Sequence, residues 1–233
     1  MAGTGSRLRG LDNTILKPLV SILGRPLISY VLEALVRAGM TTIHMVVGYK
    51  SEQLRTAILN LPRPKVELDF VTNPAWQKQN GFSVLAVTEF VTGPFLLTMS
   101  DHLFDQTVVD LLLDRAVPDE LNVTIDRKLN SILDLDDAMK IRLHGDRVVA
   151  IGKDLDDYNA VDTGLFVCPV AFFRYLEQAK KGDDVSLADG VRAMAQDRKV
   201  RGIDIGDSWW QDIDTTEMLR HAEETMRSAK KSA

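Results

Sequence analysis

The feature that most restricts how this chain can fold is a repeated exchange of helical and extended patterns through its first half. Leu27 to Ala38 sets Ile28, Val31, Leu32, Leu35 and Val36 at helical spacing and stops at Gly39. Thr42 to Val47 is rich in β-branched residues and nearly unbroken in apolar character, the pattern of a strand buried on both faces of a parallel sheet, with His44 as one of its sheet residues. Ser51 to Leu61 reads as a helix capped by Ser51 and closed by Pro62-Arg63-Pro64. Val66 to Val71 is then a strand, Phe82 to Val91 a helix and Pro94 to Met99 a strand. Such a rhythm calls for right-handed crossovers and a Rossmann-like, doubly wound, mostly parallel α/β sheet that takes ligands at the carboxyl ends of its strands.

From Leu121 the pattern changes. Asn122 to Ile125, Met139 to Leu143 and Val148 to Ile151 are short strands, the last two joined through His144-Gly145-Asp146, which predicts a small antiparallel extension over the sheet where a second substrate can lie. Ala160 to Val167 is another strand, followed by helices at Pro169 to Lys180 and Leu187 to Arg198, a last strand at Val200 to Ile205 and an amphipathic helix at Thr216 to Lys231. With 233 residues and no linker or repeat, a single domain spanning 1–233 is expected. A net charge of -5 excludes a nucleic-acid-tracking surface, so phosphate binding has to be local. Cys168 is the only cysteine, which rules out an internal disulfide, suits a reducing cytoplasm and reads as core packing. No apolar run approaches the ~20 residues that span a bilayer.

Chemistry concentrates in three places. Gly3-Thr4-Gly5-Ser6-Arg7 brings backbone amides, a forked guanidinium and, with Lys17, a point charge to one anion, as a triphosphate cradle requires. It lacks the spacing of a Walker loop and the third glycine of the dinucleotide fingerprint. A loop of this kind normally follows a buried strand, and only Met1 and Ala2 precede it, so the first strand is expected to be missing and its neighbours to lack hydrogen-bond partners. Asp101 closes the strand ending in Met99-Ser100, where a carboxylate is well placed for Mg²⁺, a cation that prefers oxygen ligands and grips substrate phosphates. Asp212 and Asp214 alternate in an extended segment and so share one side, although Asp214 or Thr215 also suits the cap of the final helix. Trp209 and Trp210 read as core or interface residues. The acidic clusters Asp134, Asp136, Asp137 and Asp154, Asp156, Asp157 read as solvated loops.

Gly3 to Arg7 with Lys17-Pro18-Leu19 resembles the signature loop of the nucleoside-triphosphate transferases, the sugar-nucleotide pyrophosphorylase superfamily. Thr98 to His102, Asn80-Gly81-Phe82-Ser83, Ile151 to Leu155, Val161 to Gly164 and Trp210 to Thr215, in that family's pattern, resemble its inositol-1-phosphate cytidylyltransferase branch. The resemblance implies transfer of a cytidylyl group from CTP to a phosphorylated alcohol, releasing pyrophosphate. It implies that Asp101, Asp212 and Asp214 hold Mg²⁺ and that Gly3, Thr4, Gly5, Ser6, Arg7 and Lys17 bind the triphosphate. Asn80, Gly81 and Ser83 would meet the base, and Lys153 the acceptor's phosphate. Asp162 would hold an acceptor hydroxyl, with Lys140 a weaker candidate beside it. Leu16 stands where the family pattern has a proline. A membrane-embedded CDP-alcohol phosphotransferase, fused or associated, is the partner the resemblance suggests. No Ser/His or Cys/His pair stands out, in keeping with an in-line displacement that needs alignment and charge neutralisation rather than a protein nucleophile. A phosphocholine or sugar-phosphate nucleotidyltransferase and an inactive nucleotide-binding module remain alternatives.

Overall fold

The computed structural model describes residues 16–62 and 65–232. Gly3 to Arg7, the proposed cradle, lies outside the described residues, as does the question of what strand precedes it. Lys17–Leu19 forms a single 3₁₀ turn with Pro18 buried, followed by a short hairpin, β1 (Ser21–Ile22) and β2 (Arg25–Pro26). Helix α1 (Leu27–Arg37) buries Leu27, Ile28, Val31, Leu32 and Leu35 along one stripe. It closes with Gly39 at φ +85° and the amide of Met40 donating back to Leu35, a left-handed turn that favours glycine. Strand β3 (Thr42–Val47) pairs in parallel with β4 (Glu67–Thr72) across helix α2 (Ser51–Leu59).

Ser51 does not cap α2. Lys50 occupies the boundary in the left-handed conformation and no side chain caps the first turn. The helix expected over Phe82 to Val91 is shorter, α3 (Gly81–Leu85), and continues as tight turns in which Val87, Thr88 and Phe90 each donate to the residue three before. Val84, Val87, Thr88 and Val91 crowd the preceding turn when helical, which favours that change.

Strand β5 (Phe95–Thr98) leads to β6 (His102–Phe104), helix α4 (Gln106–Arg115) and β7 (Leu121–Asp126). The hairpin of β8 (Lys140–His144) and β9 (Arg147–Gly152) turns at Gly145, φ +65°, and precedes β10 (Ala160–Cys168). Helices α5 (Phe172–Gln178) and α6 (Leu187–Gln196), strands β11 (Val200–Asp204) and β12 (Trp210–Asp212) and helix α7 (Thr216–Ser232) complete the order.

The architecture is α/β, and among the described residues the strands form mixed rather than mostly parallel sheets. The six-stranded sheet runs β5-β10-β7-β11-β9-β8, with β10 also meeting β8. Among the described residues only β7–β11 and β3–β4 pair in parallel, and the other pairings are antiparallel. The reason is β10, which enters between β5 and β7 and runs against both. For the same reason the β8–β9 hairpin is not a layer over the sheet but a continuation of it, joined to β10 on one side and β11 on the other. Strand β7 is buried along its whole length: Leu121, Val123 and Ile125 enter the main core, with Phe166, Phe172 and Leu176 from neighbouring elements. Cys168 is buried in this core, where the apolar surroundings push its thiol pKa up and leave it inert. No helix among the described residues is long and apolar enough to cross a membrane.

Candidate active site

The site begins where β5 ends. The chain turns through Ser100 and Asp101 into β6, and β12 lies antiparallel to β6 with Asp212 opposite His102. The amide of Ile213 donates to the carbonyl of Asp101 at 2.9 Å. This short ladder brings two distant acidic segments together, with Asp212 opposite His102 and Ile213 bonded to Asp101. Thr215 accepts from the amide of Met218 through its hydroxyl, so Thr215 caps the first turn of α7.

Lys17 reaches the same point. Its Nζ donates to Asp101 Oδ2 at 2.6 Å and to Asp214 Oδ1. Burial disfavours the ammonium, but the charges and hydrogen bonds of Asp101 and Asp214 outweigh it and raise the Lys17 pKa. On the other side of Asp101, Nδ1 of His102 donates to Oδ1 at 2.9 Å. Burial works against the imidazolium too, and is overcome by Asp101, Asp212 and Asp162, so the His102 pKa is raised. Burial alone would raise the pKa of Asp101, yet His102 and Lys17 hold its carboxyl far below the ordinary range. Asp212 is raised, first by burial and then by the like charges of Asp214 and Asp101.

His102 is seated by three neighbours. Its ring stacks on Trp210, 5.9 Å between centroids, and Trp210 Nε1 donates to buried Asp126 Oδ2 at 2.9 Å. Behind the ring β10 is irregular, and Gly164 adopts φ +79°. A Cβ there would lie 2.4 Å from His102 Cδ2. Asp162 accepts from the Gly164 amide at 2.7 Å, and burial lifts its pKa to about 6 against the pull of that amide and of His102.

A cleft of about 760 Å³ runs from this cluster between α1, β3 and β5. Lys17, Asp101, Ser100, Lys78, Asn80 and Ser83 line its polar part. The three residues expected to meet a base also carry structure. Asn80 Oδ1 accepts from the Leu187 amide at 2.8 Å, and so serves as a remote cap for α6. Gly81 is packed so tightly that a Cβ would lie 2.5 Å from the Val185 carbonyl oxygen. Ser83 Oγ accepts from Asn73 Nδ2 at 3.2 Å.

The expected acceptor residues gather at one end of the large sheet, where Lys140 pairs with Gly152 on β9 and with Val161 on β10, next to Lys153 and Asp162 respectively. Lys140 is buried, and its ammonium donates to the carbonyls of Asp136 and Lys153, so it fixes the backbone that carries Lys153. Lys153 is paired with Asp137, and Arg142 with Asp157, one aspartate from each acidic loop. Among the described residues no three His, Cys, Asp or Glu side chains are gathered as a ready-made metal cage. At Asp101 and Asp214 the Lys17 ammonium bonds both carboxylates. His102 and Gly164 are the contributors that residue-by-residue reasoning did not single out, although the His directly after Asp101 was a signal in plain view.

Residues 1–129 match the family model described as nucleotidyl transferase. A bifunctional IPC transferase and DIPP synthase of Rubrobacter xylanophilus is 34% identical over 227 residues, covering 96% of this chain and 50% of that protein. The Aquifex aeolicus protein of the same name is 28% identical over 220 residues, covering 94% of this chain and 49% of its own. The chain thus spans about half the length of these relatives. The structure of the inositol-1-phosphate CTP transferase from T. maritima superposes with a TM-score of 0.83 at 26% identity, over 97% of this chain and 92% of that one. The chain belongs to the nucleotidyl transferase family.

Proposed function

We propose that this chain transfers a cytidylyl group from CTP to the phosphate of a phosphorylated alcohol, with inositol 1-phosphate as the acceptor, giving CDP-inositol and pyrophosphate. The observation that carries the reading is the meeting of Asp101, Asp214 and Lys17 at the polar end of the cleft, with Asp212 opposite His102 on the β6–β12 ladder. The names of the relatives support the choice of nucleotide and acceptor.

The donor set fits a hard divalent cation: it is made of carboxylate oxygens, and one positive charge already sits among them. Asp101, Asp212 and Asp214 are the residues that would hold Mg²⁺, which when bound neutralises phosphate charge and aligns the leaving pyrophosphate. Asn80, Gly81 and Ser83 would border the cytosine. Arg7 and the Gly3 to Ser6 loop would carry the remaining phosphate contacts, and Lys153 with Asp162 would orient the acceptor. Lys140 acts by holding Lys153 in place. The partner half of the relatives' length is where a phosphotransferase consuming the product would lie.

A pyrophosphate-release screen of CTP, UTP, GTP and ATP against inositol 1-phosphate, phosphocholine and several sugar phosphates tests this. CTP with inositol 1-phosphate should give the highest kcat/KM. Preference for a sugar phosphate or phosphocholine overturns the acceptor, and no release with any pair overturns the activity.

A further inference from the structure

Lys17 is the family-pattern residue expected to hold triphosphate, yet its ammonium faces the two carboxylates proposed for the metal. It donates to both, at 2.6 Å from Asp101 Oδ2 on one side, and is only 14% exposed. The groups around it leave it little choice. Asp101 is gripped from behind by His102 at 2.9 Å, and Asp214 directly precedes the Thr215 cap of α7, whereas Lys17 carries its charge on a flexible four-carbon stem. Two half-buried carboxylates held at one ammonium repel each other when that charge is removed.

We propose that Lys17 is an exchangeable internal cation: it neutralises Asp101 and Asp214 in the nucleotide-free protein, and gives up that place when a divalent ion arrives with the triphosphate. The released ammonium then turns from the carboxylates to the phosphate oxygens that line the same end of the cleft. Metal and lysine compete for one pair of anions, so the divalent ion binds weakly until phosphate offers the lysine another partner. The proposal rests on the assignment of Asp101 and Asp214 as metal ligands. Lys17 is in this account both a holder of the empty site and a phosphate ligand of the loaded one.

The test is Mn²⁺ binding to nucleotide-free protein, followed by the EPR signal of free Mn²⁺ for wild type, Lys17→Met, Lys17→Gln and each combined with Asp101→Asn. Removing the positive charge should tighten Mn²⁺ binding by roughly tenfold while lowering the rate of pyrophosphate release. Lys17→Gln keeps a donor for both carboxylates and serves if the methionine variant does not fold. Thermal melting should show the metal-free Lys17 variants below wild type, and Mn²⁺ should raise their midpoints more than that of wild type. A lysine that merely braces the fold would lower the midpoint without raising metal affinity. Unchanged or weaker Mn²⁺ binding in the folded Lys17 variants, with Asp101→Asn still abolishing it, overturns the exchange alone. Mn²⁺ binding that survives Asp101→Asn overturns the metal assignment and the exchange with it.

Discussion

The imidazole of His102 fills the space a side chain at Gly164 would need. A Cβ on that glycine would lie 2.4 Å from Cδ2 and 2.6 Å from Nε2 of the ring. The irregularity in β10 is thus tied to the carboxylate cluster, because the same ring holds Asp101 through Nδ1. Gly164→Ala meets two penalties: a left-handed backbone at φ +79° and displacement of the ring from Asp101. The variant should lose roughly 2–4 kcal/mol in urea denaturation. A loss within experimental error would show that the ring moves freely and does not position Asp101.

Asp162 gives the fold a pH dependence of known sign. Its pKa in the folded protein, about 6, lies above the ordinary 3.8, so the folded state binds this proton more tightly than the unfolded chain. Ionisation therefore works against folding: the penalty is absent below about 3.8, grows as pH rises from there to about 6 and is fully present above it. Asp162→Asn should remove this component, making the variant gain on wild type between pH 4 and pH 7 in a denaturation series. An identical pH slope in the two proteins would mean that Asp162 ionises without penalty.

Asn80 separates a structural from a recognition role. Its Oδ1 caps the first amide of α6, so Asn80→Ala should cost about 1–2 kcal/mol of stability. Asn80→Asp keeps the acceptor and should retain most of that stability. If the residue also borders the base, both variants raise KM for CTP, and the aspartate variant does so with little change in the denaturation midpoint. Equal stability loss in both would show that the amide nitrogen, not the oxygen, holds the fold.

What the chain reveals before folding follows from how local each signal is. α1 and β3 were legible because burial is periodic along one helix face and an unbroken run of mostly apolar, β-branched residues marks the strand. The place of β10 between β5 and β7 was not, since pairing between strands so far apart in sequence leaves no mark on either. Helix α4 buries Val108, Val109 and Leu112, a spacing that could have revealed it, whereas β6 and β12 are three residues each and too short to show alternation. The residue types at the site were readable, Asp101 at a strand end and Asp212 with Asp214 in alternation. Their neighbours were not: the seat of His102 depends on a glycine in β10 and an indole in β12, and the engagement of Lys17 with Asp214 joins the two ends of the chain.

The most direct measurement is an anomalous difference map of crystals grown with CTP and Mn²⁺. The account predicts a single strong peak bounded by Asp101 and by Asp212 or Asp214, with the triphosphate beside it and Lys17 turned onto phosphate oxygens. A triphosphate bound with its metal away from Asp101, or with Lys17 still lodged between Asp101 and Asp214, would contradict it.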